Sequence, residues 1–413
     1  MLIPSIDLMG GKAVQLRQGN PDDCAVVVDD PIALALEYSR YGEVAIIDLD
    51  AALGRGDNLA TIERILAKVD ARVGGGIRDH ARADRLLRAG ARKIIIGTAA
   101  TPEFLQRYAR DQVIVAIDQK GGQVATHGWT ATAGETALER CVRLAPYCGE
   151  FLFTVVDREG LMQGADLEAI AEVCKSTRNT ITAAGGITTV AEVAAIDKLG
   201  ANSQLGMALY TGKLDLAEAF LGLLDWGKTG ELMPVVVEDD SQVLMFAWAN
   251  REAVTETLKT GRGTFFSRSR QELWKKGDTS GHVQHVQTVR WDCDRDCLLY
   301  HVEQTGEACH LPQRSCFGPQ RFDLHQLERV LRERRDRPEP GAYTSRLFAD
   351  SKLLHSKIRE EADELVRAHT DRDVVWETAD VLFFSMVKLV SLGLTLDQVE
   401  RELRSRHGRR RIS

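Results

Sequence analysis

The chain is short of cysteine for its length and has no long uninterrupted apolar run, and each shortage narrows what it can be. Its eight cysteines, at positions 24, 141, 148, 174, 293, 297, 309 and 316 of 413 residues, are too few and too scattered for a disulfide scaffold. The first residues lack the basic-then-apolar order of a secretory leader, because Asp7 interrupts the apolar run and no basic residue precedes it. Together these absences predict a reducing, cytoplasmic setting in which thiols serve metals or catalysis. The longest apolar run, residues 381–394, contains Ser385 and Lys388 and is shorter than the ~20 residues of a bilayer span, which predicts no membrane partner. Positive charge is short too: 53 Lys and Arg stand against 60 Asp and Glu, for a net −7. Basic runs occur only at Arg332–Arg337 and near the C-terminus, so no nucleic-acid footprint is visible. At roughly 100–200 residues per domain the length predicts two to four domains, and 44% apolar residues supply their cores.

What is present is concentrated chemistry. Residues 292–316 carry Asp292, Cys293, Asp294, Asp296, Cys309, His310 and Cys316. Thiolate selects zinc and carboxylate oxygen suits magnesium, so the interleaving predicts two metals side by side. Three cysteines without a fourth fit a catalytic zinc that keeps one position open for water. A disulfide pair with a spare thiol, or a structural zinc closed by His310, are the alternatives from these residues alone.

From Met1 to about residue 228, short β-branched runs alternate with helical-period segments, the mark of βα units. Eight runs, 2–6, 44–47, 71–73, 93–96, 113–117, 151–156, 180–183 and 203–205, predict a (β/α)8 TIM barrel. A half-barrel repeat supports the count. Asp7 and Asp118 end the first and fifth runs, Gly75 and Gly76 recur as Gly185 and Gly186, and Gly97 recurs as Gly206, at nearly one offset. Glycine turns at strand ends present backbone N–H groups to phosphate, so the duplicated pair predicts a substrate with phosphate at each end. Asp7 and Asp118 would face each other across the mouth as an acid and base pair. Each motif could instead tighten a turn or cap a helix.

Residues 229–318 are read as a small, mainly β (α+β) metal domain, with strands at 233–237, 242–247, 264–267, 283–290 and 298–302, the first two joined at Asp239 and Asp240. Within it Lys275, Lys276, Thr279, Ser280 and His282 form a cationic, hydroxyl-rich loop suited to a phosphorylated ligand, or an ordinary solvated loop. Residues 319–413 read as all-α. There Glu360, Glu361 and Glu364 lie within little more than one turn, and Glu377 and Asp380 pair at i, i+3 on a following helix. Five carboxylates on two helices predict a magnesium cage; an acidic face paired by bridges such as Lys357 with Glu361 is the alternative. Asp380 leads into the apolar Val381, Leu382, Phe383 and Phe384, where an unpaired carboxylate is costly.

The three regions resemble three enzymes of histidine biosynthesis. The middle region resembles phosphoribosyl-AMP cyclohydrolase through SRSRQELWKKGDTSGHVQ at 267–284, DCDRD at 292–296, and the segments around Cys309 and Cys316. That resemblance implies zinc on Cys293, Cys309 and Cys316, contributed across a dimer interface, and magnesium on Asp292, Asp294 and Asp296. It also implies a zinc-activated water attacking adenine C6, with His310 as proton shuttle. The helical region is similar to phosphoribosyl-ATP pyrophosphatase through AYTSRL at 342–347 and its ExxD pattern, which implies magnesium on the five carboxylates and phosphate contacts from Lys357 and Arg359. The first region resembles phosphoribosylformimino-AICAR-phosphate isomerase through IPSIDLMGGKAVQLRQG at 3–19, AIIDLDAA at 45–52, VGGGIRD at 73–79 and AIDQKGGQVATHGW at 116–129. The implied chemistry is an Amadori rearrangement with Asp7 and Asp118 as base and acid, and with Arg78 and Thr154 beside the glycines as substrate contacts. Here the sequence departs from the family: Val155 replaces the first acid after strand six, Glu159 replaces the second, and Ala184 stands where serine is common. The expectation is therefore a multifunctional, homodimeric enzyme acting on phosphoribosyl nucleotides, with a bifunctional cyclohydrolase and pyrophosphatase on a repurposed barrel as its rival.

Overall fold

A computed structural model of the chain describes residues 1–17, 20–126, 131–159, 161, 163–239, 242–318 and 322–409. Asp240 of the expected turn, Gly160 beside Glu159, residues 127–129 of a matched segment and the last basic residues lie outside that set. The chain divides into two compact units, Met1–Gly318 with Ser405–Ser413, and Pro319–Arg404.

The first unit opens with eight parallel strands: β1 (Leu2–Met9), β2 (Val44–Asp48), β3 (Ala71–Gly74), β4 (Lys93–Ile96), β5 (Val113–Lys120), β6 (Glu150–Val155), β7 (Thr180–Ala184) and β8 (Asn202–Leu205). They pair in the order β6-β7-β8-β1-β2-β3-β4-β5, and β5 pairs β6 to close the barrel. All eight expected runs match these bounds to within three residues at each end. Strands such as β2 and β4 are legible because both faces are covered, so they read as short β-branched blocks. Ile95, Ile114 and Leu152, with Ile47, Ala116 and Ala184 against them, fill the barrel interior. At the opposite end Arg72 bridges Glu43 and Glu150, and Lys93 Nζ and Thr182 Oγ1 complete the shell of Glu150 at 2.6 and 2.5 Å. Burial opposes ionisation of Glu150, but Arg72 and Lys93 outweigh it and hold its pKa below the usual range. The helices outside the strands are set by local caps. Thr189 and Glu192 form a reciprocal capping box at the start of helix Val190–Lys198.

Within the same unit, a four-stranded sheet follows: β9 (Met233–Asp239), β10 (Gln242–Ala249), β13 (Gln284–Trp291) and β14 (Leu298–Gln304), in the order β10-β9-β14-β13. A separate hairpin pairs β11 (Thr264–Ser267) with β12 (Glu272–Lys275). One apolar core runs without a break from the barrel into this sheet, with Phe220 packed on Trp291 at 4.7 Å between ring centroids. Arg40 of the barrel caps helix Arg251–Thr260, donating to Leu258 O at 2.7 Å and Lys259 O at 2.8 Å.

The second unit is helical, with helices Leu324–Asp336, Tyr343–Ala349, Ser351–Arg367 and Asp371–Ser391, and with helix Leu396–Arg409 as far as Arg404. Its core gathers Leu331, Leu347, Leu354, Phe384, Met386, Val387 and Val390. Leu382, expected to be buried, is 41% exposed, because it falls on the outer face of its helix. Among the described residues no single helix is long and apolar enough to cross a membrane.

Candidate functional sites

The C-terminal ends of the barrel strands enclose a cavity of about 590 Å³. Asp7, Asp118, Thr154, Arg78, Gly97 and Gly206 all line it, as do both glycine pairs, Gly75 with Gly76 and Gly185 with Gly186. β1 and β5 are four strands apart in a ring of eight, so Asp7 and Asp118 enter from opposite walls. The glycine turns are required by geometry. At Gly75 φ is +92° and a Cβ would meet Asp48 O at 2.2 Å; at Gly185 φ is again +92° and a Cβ would meet Val155 O at 2.9 Å. The repeat is thus expressed as two equivalent close approaches of backbone to backbone.

Burial dominates the electrostatics. The Asp7 carboxyl is pushed up to about 7 by burial, against which the Ser5 hydroxyl works at 3.4 Å. Glu159, which stands where the isomerase pattern has a shorter acid, projects into the same cavity, and burial together with Asp7 and Asp118 raises it to about 7. Three carboxylates therefore share one enclosed space. Arg78 lines the cavity but donates to Ala51 O at 3.1 Å and Ala52 O at 2.6 Å, so its charge is engaged by backbone. Three further lining residues escaped the sequence reading. Gln15 reaches Asp7 Oδ2 at 3.5 Å from hairpin strand Lys12–Leu16, Ser5 hydrogen-bonds Asp7, and Gln204 carries a buried Oε1 with no hydrogen-bond partner among the described residues. Polar residues alternating into a barrel mouth were the available signal.

In the sheet region the two donor sets separate. Asp292, Asp294 and Asp296 converge, each offering an oxygen within 4.8 Å of the others, in the loop between β13 and β14. Lys228 Nζ lies 2.9 Å from Asp294 and 3.9 Å from Asp296, an ammonium among carboxylates as a cation would be. Cys309 and Cys316 lie beyond the other end of β14. Those two thiols adjoin each other and Lys276: burial lifts the Cys316 pKa, with Cys309 adding to it, and burial lowers that of Lys276. Seven residues of strand separate the two ends, about 20 Å at ~3.3 Å per residue. Within one chain the thiol pair and the aspartates are therefore not side by side, and Cys293, in the aspartate loop, is remote from its two expected partners. Sequence proximity misled because β14 carries the chain across the whole sheet between them. His310 Nδ1 is 3.9 Å from Cys309 Sγ, and the His282 ring packs over Gly306. Thr279 and Ser280 are exposed nearby, whereas Lys275 turns away to pair with Glu256 at 2.6 Å.

In the helical unit Glu361, Glu377 and Asp380 converge within 4.8 Å between helices Ser351–Arg367 and Asp371–Ser391. Burial, then Glu364, raises the Glu377 pKa, so Glu364 borders the group. The Glu377 Oε2 atom is buried without a hydrogen-bond partner among the described residues. Glu360 lies on the exposed flank, paired with Lys357 at 2.9 Å; Lys357 also reaches Glu361 at 3.5 Å, and Arg359 is exposed.

Residues 1–215 match the family model described as histidine biosynthesis protein. The chain belongs to that family. Within the histidine-biosynthesis chain, residues 245–318 match the phosphoribosyl-AMP cyclohydrolase family and residues 324–407 the phosphoribosyl-ATP pyrophosphohydrolase family. The histidine biosynthesis bifunctional protein HisIE of Parasynechococcus marenigrum is 43% identical over 216 residues, 47% of this chain and 96% of that protein. The histidine biosynthesis trifunctional protein of Neurospora crassa is 33% identical over 326 residues, 77% of this chain and 35% of that protein. The trifunctional protein of Kluyveromyces lactis is 44% identical over 175 residues, 42% of this chain and 22% of that protein. This chain thus spans about a fifth to a third of those two trifunctional relatives, and nearly all of the bifunctional one.

Proposed function

We propose that this chain is a multifunctional enzyme of histidine biosynthesis with three active sites, in residues 1–228, 229–318 and 319–413. The observation that carries the reading is the end-to-end match of three pathway families to one chain. The helical region hydrolyses phosphoribosyl-ATP to phosphoribosyl-AMP and pyrophosphate. Its carboxylates suit magnesium, and the orphaned Glu377 oxygen is the kind of donor a hard cation satisfies. Lys357 and Arg359 would meet phosphate oxygens at its rim.

The middle region opens the adenine ring. Cys309 and Cys316 supply two soft donors, and Cys293 of a second copy supplies the third, so the enzyme works as a homodimer. Zinc bound there would acidify water to a pKa of about 7, the nucleophile the ring opening needs. His310 moves the proton beside Cys309, while Lys276, Thr279, Ser280 and His282 orient the phosphoribosyl group. The aspartate loop fits magnesium because three carboxylates already gather around an ammonium.

The barrel isomerises the opened product. Its twin glycine turns hold one phosphate each, and Asp7 and Asp118 exchange protons at C2′ and the ribose ring oxygen. Glu159 joins them as a third carboxylate in contact with substrate. The enzyme acts in the cytoplasm, where its thiols stay reduced.

Phosphoribosyl-ATP incubated with the pure protein, magnesium and zinc should lose pyrophosphate, then gain one water by mass spectrometry. Chromatography should then resolve a product of unchanged mass. Asp118→Asn should abolish that last conversion by at least about 100-fold while sparing the two hydrolyses; unchanged isomer formation would sink the barrel assignment.

A further inference from the structure

The loop that gathers Asp292, Asp294 and Asp296 belongs to the sheet region, yet much of what holds it belongs to the barrel. Arg295 sits between two of the carboxylates with φ +65°, a left-handed conformation that L side chains adopt rarely. The guanidinium leaves the loop and grips Asp197 through both oxygens, at 2.5 and 2.7 Å, and it also donates to Leu223 O at 3.4 Å. The Arg295 carbonyl accepts from Asp225 N–H at 2.9 Å. Asp197 lies in the last turn of helix Val190–Lys198, and Leu223 follows helix Leu216–Gly222, so all three partners come from residues 197–225. Within the loop, Asp292 Oδ1 accepts from the Asp296 and Cys297 amides at 3.1 and 3.2 Å.

Three like charges within 4.8 Å repel, and the Lys228 ammonium, 2.9 Å from Asp294 and 3.9 Å from Asp296, offsets part of that repulsion, so the shape of the loop also depends on what anchors its backbone. A planar guanidinium held bidentately is a rigid anchor that a point charge cannot reproduce. We propose that Arg295 is a positioning residue and Asp197 its anchor, so that the barrel holds the aspartate loop in its cation-binding shape. The inference rests on the reading of these aspartates as a magnesium site. It gives the barrel a second role besides its own cavity: pre-ordering the loop lowers what magnesium must order on binding.

The test uses the full-length, metal-stripped protein and its D197N, D197E, R295K and D294N variants. Magnesium is titrated calorimetrically, with D294N as the reference that removes the loop's contribution. Amide exchange of residues 292–297 is followed without metal. D197N and R295K should bind magnesium at the loop about tenfold more weakly, the usual size of an outer-shell loss. The Asp296 and Cys297 amides should exchange faster in both, D197E should restore part of each effect, and isomerisation should be unchanged, because Asp197 is at the end of its helix away from the barrel mouth. Unaltered magnesium affinity together with unaltered exchange overturns the proposal. Faster exchange in D197N while wild type and D294N bind magnesium alike would keep the anchor and overturn the magnesium reading instead.

Discussion

At the residue scale the decisive effect is burial of carboxylates. Asp7 is held near 7 in the folded chain against an ordinary value near 4. Between those values the folded state keeps a proton that the unfolded state releases. The unfolded state therefore binds fewer protons, and stability from this group is present below pH 4 and falls as pH rises toward 7. Asp7→Asn should accordingly stabilise the protein at pH 8, by up to about 4 kcal/mol at 1.36 kcal/mol per unit, and change little at pH 4. Urea denaturation at both pH values checks it; an equal effect at both would remove the buried-acid account. Glu159 is raised by burial and by the neighbouring Asp7 and Asp118, so the isomerisation profile should show a limb near pH 7 that belongs to the pair rather than to either acid. Glu159 itself was visible in the sequence as a departure from a pattern. That its longer side chain ends inside the cavity followed from the short 3-10 turn Val156–Arg158, which no propensity foretold.

At the scale of elements, the glycine turns after β3 and β7 decide how closely strand ends approach. Gly75→Ala should destabilise the protein by at least about 2 kcal/mol, since it combines a positive φ with a 2.2 Å approach to Asp48 O. Gly97→Ala, whose new carbon would sit 3.9 Å from Ala116 Cβ, should cost far less. Thermal or urea midpoints of the two variants compare them directly. Strands such as β2 and β4 were legible because burial on both faces writes them as β-branched blocks, whereas β8, which reads Asn-Ser-Gln-Leu, has no such block. Helix Arg251–Thr260, hairpin strands Lys12–Leu16 and Cys24–Val28, and β12 were not read. The helix and β12 are partly exposed and polar, with Arg40, distant in sequence, at the helix end. The two hairpin strands are only five residues long and pair with each other, so neither carries a pattern long enough to read.

At the scale of the whole molecule, Arg72 sits among acids at the base of the barrel, almost without solvent. Arg72→Met should cost about 3–5 kcal/mol by leaving Glu150 with less compensation, whereas a second change of Glu150 to Gln should recover part of it. Assembly gives a sharper expectation. Cysteine 293 and the Cys309–Cys316 pair lie at opposite ends of β14, so Cys293→Ser and Cys309→Ser should each abolish adenine ring opening alone. Mixing the two variants, with subunit exchange, should restore about a quarter of wild-type activity, because half the dimers are mixed and each holds one intact site. No recovery despite verified exchange would exclude a shared site.

The order of amino acids alone determined the barrel, its internal duplication, the three regions and the residue types each chemistry requires, because periodicity and donor identity are local properties of a chain. Tertiary structure alone decided which donors meet. It parted the aspartates from the thiol pair, since one extended strand outreaches any side chain. It placed Glu159 and Gln15 in the barrel mouth and left Glu360 on the flank of its cluster. It also bound the aspartate loop to the barrel through Arg295 and Asp197, 98 residues apart, a partnership that exists only once two folded surfaces are pressed together.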